Sequence, residues 1–287
     1  MSFTGSAVTG SGGSAESNLS DLFTNIIAQA RFTAEEQSLM LGLVTQYNIA
    51  GQAGKTIQVP KYPAIAAADL TEGTDMSSTR VNTTSVEVTV GEVGAQVLLT
   101  DLAAMGAGNP ADELGTVLGN AIATKIDKDL IALFSGFSET LGTAGTEIAV
   151  ADLFKAAATL RAAKVTGSMA AVVHPFQAYS LKAGLTNTFV NPNGGDLQNE
   201  AMRTGYVGTI AGIDVYESAN VLVDGEADAV AAVFAPEALA IALKRDFNLE
   251  VQRDASLRAN ELNATAVYGV GELDDSFGVA ITADAAL

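Results

Sequence analysis

The chain contains no cysteine. Disulfide staples, thiolate nucleophiles and Cys-ligated zinc or iron–sulfur centres are thereby ruled out. It has a single histidine and no tryptophan, and aromatic residues make up only 6% of it. A histidine-based zinc site would have to be completed by carboxylates alone, so neither a metal nor a cofactor is expected. Basic residues are few: 15 against 33 acidic ones, for a formal charge of −18. Such a surface repels phosphate backbones and anionic lipid heads, which argues against a nucleic-acid reader or a basic membrane binder. Long clean apolar runs are missing too. The stretch from Ala227 to Leu243 carries Asp228 and Glu237 and contains Pro236, so no membrane span is expected. The first residues, MSFTGSAVTGSGGSAESNLS, have neither a basic n-region nor an apolar h-region, and no signal peptide is expected.

What is present suits a packed core. The 287 residues are 48% hydrophobic, enough for one large domain or two ordinary ones. Alanine, glycine, valine and threonine fill the space that aromatics leave. Small side chains allow close backbone packing, which favours a flattish, extended subunit over a deep ring-lined pocket.

Along the chain, residues 1–18 read as a flexible Gly/Ser arm. Thr33-Ala34-Glu35-Glu36 has capping-box spacing, and Leu39, Met40, Leu43, Val44 and Tyr47 follow at helical spacing up to Gly51. The period then changes. Lys55 to Tyr62 and Ser85 to Val90 alternate like strands, with about twenty Thr-, Ser-, Asp- and Gly-rich residues between them. Paired, they would make a hairpin of roughly 25 Å. Its apolar surface is too small to stand alone, so it needs a partner surface within the subunit or on a neighbour.

The strongest element comes next. Asn109-Pro110-Ala111-Asp112-Glu113 supplies an N-cap, a first-turn proline and two carboxylates at the positive end of the dipole. Leu114, Val117, Leu118, Ala121, Ile122, Ile126, Leu130, Leu133 and Phe134 form a stripe that Gly136 ends. A helix over 110–135 would be about 39 Å long. A shorter helix is expected from Asp152 to Lys164, with Leu153, Phe154, Ala157 and Leu160 apolar. Met169 to Val173 reads as a buried strand, and His174-Pro175 as a turn into a short helix ending near Leu181. Asn191 to Asp196 is a loop by its turn residues. Tyr206–Ile210 and Ile213–Glu217 suggest a hairpin around Ala211-Gly212, and Val230 to Phe234 another strand. Pro236 is expected to open a helix through Leu243, and Phe247–Val251, Ala264–Val270 and Phe277–Ile281 to be strands. The class is α+β.

This order of parts resembles the tailed-bacteriophage major capsid proteins of the Hong Kong 97 fold. Val172 to Ala178 looks like the strand-to-helix step of their A-domain. Gly208 to Tyr216 is similar to a later hairpin, and Phe247 to Asp254 with Tyr268-Gly269-Val270 to their closing strands. The resemblance implies an N-terminal arm and helix over 1–54, an extended hairpin or E-loop over 55–99, and a P-domain over 100–166 with spine helix 110–135. It further implies an A-domain over 167–245 and P-domain C-terminal strands over 246–287. The function implied is a structural coat protein, not an enzyme. It would form pentamers and hexamers of an icosahedral head around the DNA genome, with no sequence-specific binding and no membrane. Arm and hairpin would overlap adjacent subunits, so that segments 1–18 and 55–99 find their burial on sister copies. With no long N-terminal domain ahead of the fold, a separate scaffolding protein is expected, and a portal for the DNA. The location implied is the virion capsid, after synthesis in the host cytoplasm. Rival readings are an encapsulin-type nanocompartment shell and a secreted β-rich surface protein.

Other chemistry is weaker. Gly51-Gln52-Ala53-Gly54-Lys55-Thr56 lacks the first glycine of a phosphate loop, since position 49 is Ile, and Thr56 opens a strand where that loop needs a helix. His174, with Ser168 or Ser180, has the residue types of a hydrolytic triad, yet its place before Pro175 suits a structural turn. The clusters Asp224-Gly225-Glu226-Ala227-Asp228 and Glu272-Leu273-Asp274-Asp275 lack EF-hand spacing and read as solvated turns, with weak calcium binding between subunits left open. No catalytic, cofactor or metal residue is assigned.

Overall fold

The computed structural model describes residues 38–63, 65, 67, 69–73, 75, 80–102, 110–188 and 206–286. The Gly/Ser arm, the Thr33–Glu36 capping box, the Asn109 cap and the 191–196 loop lie outside the described residues.

Two sheets and one long helix make the frame. The helix α1 (Pro110–Ala132) continues through a 3-10 turn, Leu133–Gly136, close to the expected bounds. One face of it lies on a four-stranded sheet of β1 (Thr45–Asn48), β10 (Leu239–Asp254), β11 (Ala259–Glu272) and β4 (Gly91–Thr100), in the order β1-β10-β11-β4. β10 and β11 form a long antiparallel ribbon, β4 is antiparallel to β11, and β1 runs parallel to β10. The second sheet has six strands. They are β5 (Thr140–Glu147), β12 (Gly278–Asp284), β9 (Asp228–Phe234), β6 (Met169–Val173), β8 (Ile213–Glu217) and β7 (Tyr206–Ile210), in that order.

Side-chain alternation on the six-stranded sheet serves two cores. Ala171, Val173, Ala231, Val233, Val279 and Ile281 face a core shared with the helix α2 (Val150–Ala162) and with Ala178 and Leu181 of α3 (Pro175–Thr188). Val172, Ala232, Phe234 and Ala280 face the other way, into the core built around α1, where Phe234 meets Phe134 at a ring distance of 5.5 Å. Ala211 and Gly212 both have positive φ, 57° and 83°, which gives the β7–β8 hairpin the primed turn that its twist favours.

Two expectations are corrected. Residues 239–254 are a strand, not a continuation of a helix from Pro236. Leu239, Ala240, Ile241 and Ala242 are wholly buried between β1 and β11, and a strand covered on both faces has the unbroken apolar run that also marks a buried helix. The helix expected through Tyr47 is, in its described part, a 3-10 turn at Met40–Gly42 followed by β1. Pairing of β1 with β10 from Thr45–Ala240 to Asn48–Leu243 supplies tertiary hydrogen bonds that outweigh a local helical preference. Two smaller differences concern exposure: Val117 and Ala121 on α1 and Phe154 on α2 face solvent. The true stripe on α1 runs through Leu118, Ile122, Ala123, Ile126, Leu130 and Ile131.

Candidate assembly surface

The hairpin pairs as its alternation predicts: β2 (Thr56–Lys61) lies antiparallel to β3 (Thr84–Thr89), from Thr56–Thr89 to Lys61–Thr84. Gln58 Nε2 donates to Glu87 Oε1 across the pair. The turn before it holds Gly51 and Gly54 at positive φ and leads into a strand, so the segment 51–56 offers no helix N-terminus to a phosphate.

Where the hairpin's apolar face goes corrects an expectation. Val88 and Val90 are buried with Ile49 and Ala242 in a small core of the same chain, with Ile57 and Val267 against it. Residues 91–100, within the segment expected to reach a neighbour, pair with β11 along their whole length. The strands of the finger therefore rest on their own subunit, because a valine face that lies within reach of β11 buries there first. The connection is different. Every described residue from Tyr62 to Thr83 is exposed, including Tyr62 at 70%, Ile65, Leu70 at 65% and Val81. Exposed apolar side chains recurring along one connection make it a candidate interaction surface.

Behind that tip the sheet is braced. Arg253 on β10 reaches past β11 to Asp101, with Nη1 and Nη2 at 2.6 and 2.7 Å from its two carboxylate oxygens. The guanidinium holds the Asp101 carboxyl below its usual range. Arg245 spans the same ribbon nearer the hairpin, donating to Glu92 Oε1 at 2.7 Å and to Thr265 Oγ1 at 3.0 Å. These two arginines span the ribbon and keep three strands in register.

Two buried polar side chains that periodicity does not reveal tie distant segments together. Asp127 on α1 accepts from Ser38 Oγ at 2.7 Å, from the Leu39 and Met40 amides at 3.2 and 3.1 Å, and from Asn220 Nδ2 at 3.4 Å. Burial pushes its carboxyl up from the usual value, although those four bonds pull the other way. Gln177 on α3 is fully buried and donates through Nε2 to the Ala229 and Ala283 carbonyls at 2.9 and 3.0 Å. Its Oε1 accepts the His174 amide at 3.2 Å.

His174 itself makes a turn contact. Its Nδ1 accepts from the Phe176 amide at 3.3 Å, and its ring meets Phe176 edge-on. With Nδ1 an acceptor, the neutral ring carries its proton on Nε2, the tautomer opposite to the one a triad base needs. The acidic clusters are also engaged in turns. Asp224 accepts from the Glu226 and Asp228 amides, both at 2.9 Å. Asp274 caps the turn at Ser276, and Asp275 accepts from the Ser138 amide and hydroxyl. Among the described residues no cluster of three metal-ligating side chains is found. A cleft of about 580 Å³ lies between α1, residues 38–50 and β10, lined by Ile122, Ile126, Phe247 and Tyr268 and bordered by Lys244, Arg245 and Asp246; His174 is not in it.

No protein-family model matches the chain. Against curated proteins, it is 25% identical over 235 residues to the major capsid protein of Staphylococcus phage phiMR11, covering 81% of this chain and 82% of that one. Its structure resembles the capsid of cyanophage P-SCSP1u with a TM-score of 0.69, at 17% identity, over 87% of this chain and 89% of that one. It also resembles a virus-like particle from Pyrococcus furiosus, with a TM-score of 0.62 at 12% identity, over 90% and 98% of the two chains. The structural likenesses define the class: this is the α+β fold of phage capsid proteins. The sequence likeness points the same way, to a phage major capsid protein, the kind of protein that the order of the parts resembles.

Proposed function

We propose that the chain is the shell subunit of an icosahedral phage head, assembling as pentamers and hexamers around the DNA genome. The observation that carries this reading is the sequence likeness to a phage major capsid protein over four-fifths of the chain. Its mechanism is burial between copies, and no residue performs covalent chemistry. In the Hong Kong 97 scheme, residues 55–99 are the E-loop, 100–166 the P-domain with its spine helix, 167–245 the A-domain and 246–287 the closing strands. The long ribbon and α1 support the peripheral role, and the six-stranded sheet with α2 and α3 supports the compact one, which then also takes in β5 and β12. The exposed tip around Tyr62, Ile65 and Leu70 supports contact with a second copy. A net charge of −18 suits a wall that does not adhere to the DNA it encloses. A separate scaffolding protein sizes the shell, a portal admits DNA, and the subunit is made in the host cytoplasm.

The likeness to the Pyrococcus particle favours one second reading, a nanocompartment shell without a genome. Negative-stain electron microscopy of the purified full-length protein tests both. Closed particles that hold nuclease-protected DNA when purified from infected cells are expected. Closed particles filled with protein cargo would favour the second reading, and a stable monomer at high concentration would overturn both.

A further inference from the structure

The β2–β3 hairpin is fastened to its own subunit at three places. At its base, Lys244 Nζ on β10 donates to the Gly54 carbonyl. Just beyond the base, β3 crosses β11 over two glycines. A Cβ on Gly269 would lie 2.3 Å from the Thr89 carbonyl oxygen, and one on Gly271 2.8 Å from Val88 Cγ2. Contacts that short do not occur, so only the absence of side chains at both positions lets the hairpin lie so low. At its far end, Lys61 Nζ sits 2.6 Å from Asp274 Oδ1. That oxygen also receives the Ser276 amide at 3.1 Å and its hydroxyl at 2.7 Å, which hold the carboxylate in place for the lysine. An exposed ion pair contributes little to overall stability. This one acts at the far end of a six-residue strand, where a small free energy is enough to choose between orientations.

We propose that the glycine saddle and the Lys61–Asp274 latch set the angle at which the hairpin leaves its subunit before any second copy binds. The apolar tip is then presented in one direction, and docking does not have to order a swinging finger. The consequence rests on the shell reading above: the curvature between neighbouring subunits is built into each chain.

The absence of native cysteine makes the test direct, because two introduced ones label cleanly. Spin labels at Ser85→Cys on β3 and Lys128→Cys on α1 report the hairpin-to-body distance in the soluble, unassembled full-length chain. A single narrow distance distribution is expected. Lys61→Glu should broaden it, Lys61→Arg should keep it narrow, and Gly271→Val should move it to longer distance. A broad distribution in the otherwise unaltered chain, or one that Lys61→Glu leaves narrow, would overturn the latch. In assembled material, Lys61→Glu should spread particle diameters that are uniform for the parent protein. Uniform diameters alongside a broadened distance distribution would overturn the link to curvature. The distance measurement does not depend on particles forming, so a failed shell reading and a failed latch are separable.

Discussion

Asp127 shows how much one side chain can organise. It sits on α1 with no ion-pair partner among the described residues, and four donors from residues 38–40 and 220 satisfy its oxygens. An asparagine there presents an amide group to at least one amide donor, and buried donors left without acceptors are costly. Asp127→Asn is therefore expected to lower stability by about 1–3 kcal/mol in denaturant titration. The pH dependence has a definite sign. Burial raises the Asp127 pKa above 3.8 in the folded chain, so the folded state takes up the proton more readily than the unfolded one. Its contribution is complete below 3.8 and declines as pH rises through the raised value. Asparagine has no such proton, so the stability gap between parent and variant should narrow as pH is taken from about 3.5 towards neutrality. Gln177 makes a simpler case. Gln177→Leu would strand the Ala229 and Ala283 carbonyls and the His174 amide in an apolar interior. A loss on the order of 3 kcal/mol is expected in the same titration, with no gain from the added apolar surface.

Among the elements, α1 separates what a sequence pattern conveys from what it does not. The bounds of α1 were legible because Pro110 and Gly136 are chemical punctuation, independent of the rest of the fold. Its buried face was legible only in part: the expected stripe included Val117, which is 55% exposed, and omitted Ile131 and Asp127. Ile122→Ala should cost about 2–4 kcal/mol. Val117→Ala should stay within about 0.5 kcal/mol. Equal losses in thermal denaturation would mean that the helix is turned the other way. Hairpins were legible for a like reason, since Ala211-Gly212 supplies its own turn and β2 and β3 alternate strictly. Residues 239–254 were not, because Leu239 to Ala242 owe their conformation to partners about 30 positions ahead and 195 behind. No local window contains those partners. The polar ties at Asp127 and Gln177 were hidden for the same reason, as one aspartate or glutamine in a helix looks solvated until its donors arrive from elsewhere. The hairpin tip was legible as a candidate assembly surface through a long connection with no helical or strand pattern of its own.

For the molecule as a whole, the dominant fact is charge. Each copy carries −18, and Arg245 and Arg253 on the ribbon already pair with Glu92 and Asp101. Bringing copies together concentrates like charge, and the apolar tip must outweigh that repulsion. Repulsion between exposed charges is screened over a Debye length of about 30 Å at 0.01 M salt and about 10 Å at 0.1 M. Apolar burial weakens little over that range. Raising the salt should therefore lower the protein concentration at which particles appear, as read by light scattering. Replacing Tyr62, Ile65 and Leu70 together by serine should raise that threshold at every salt concentration while leaving the melting temperature of the soluble subunit unchanged, since all three are exposed. The two perturbations act on opposite terms of one balance, so added salt should partly restore assembly of the triple variant. If salt instead raised the threshold, the contacts between copies would be ion pairs, and the apolar tip would not be what joins them.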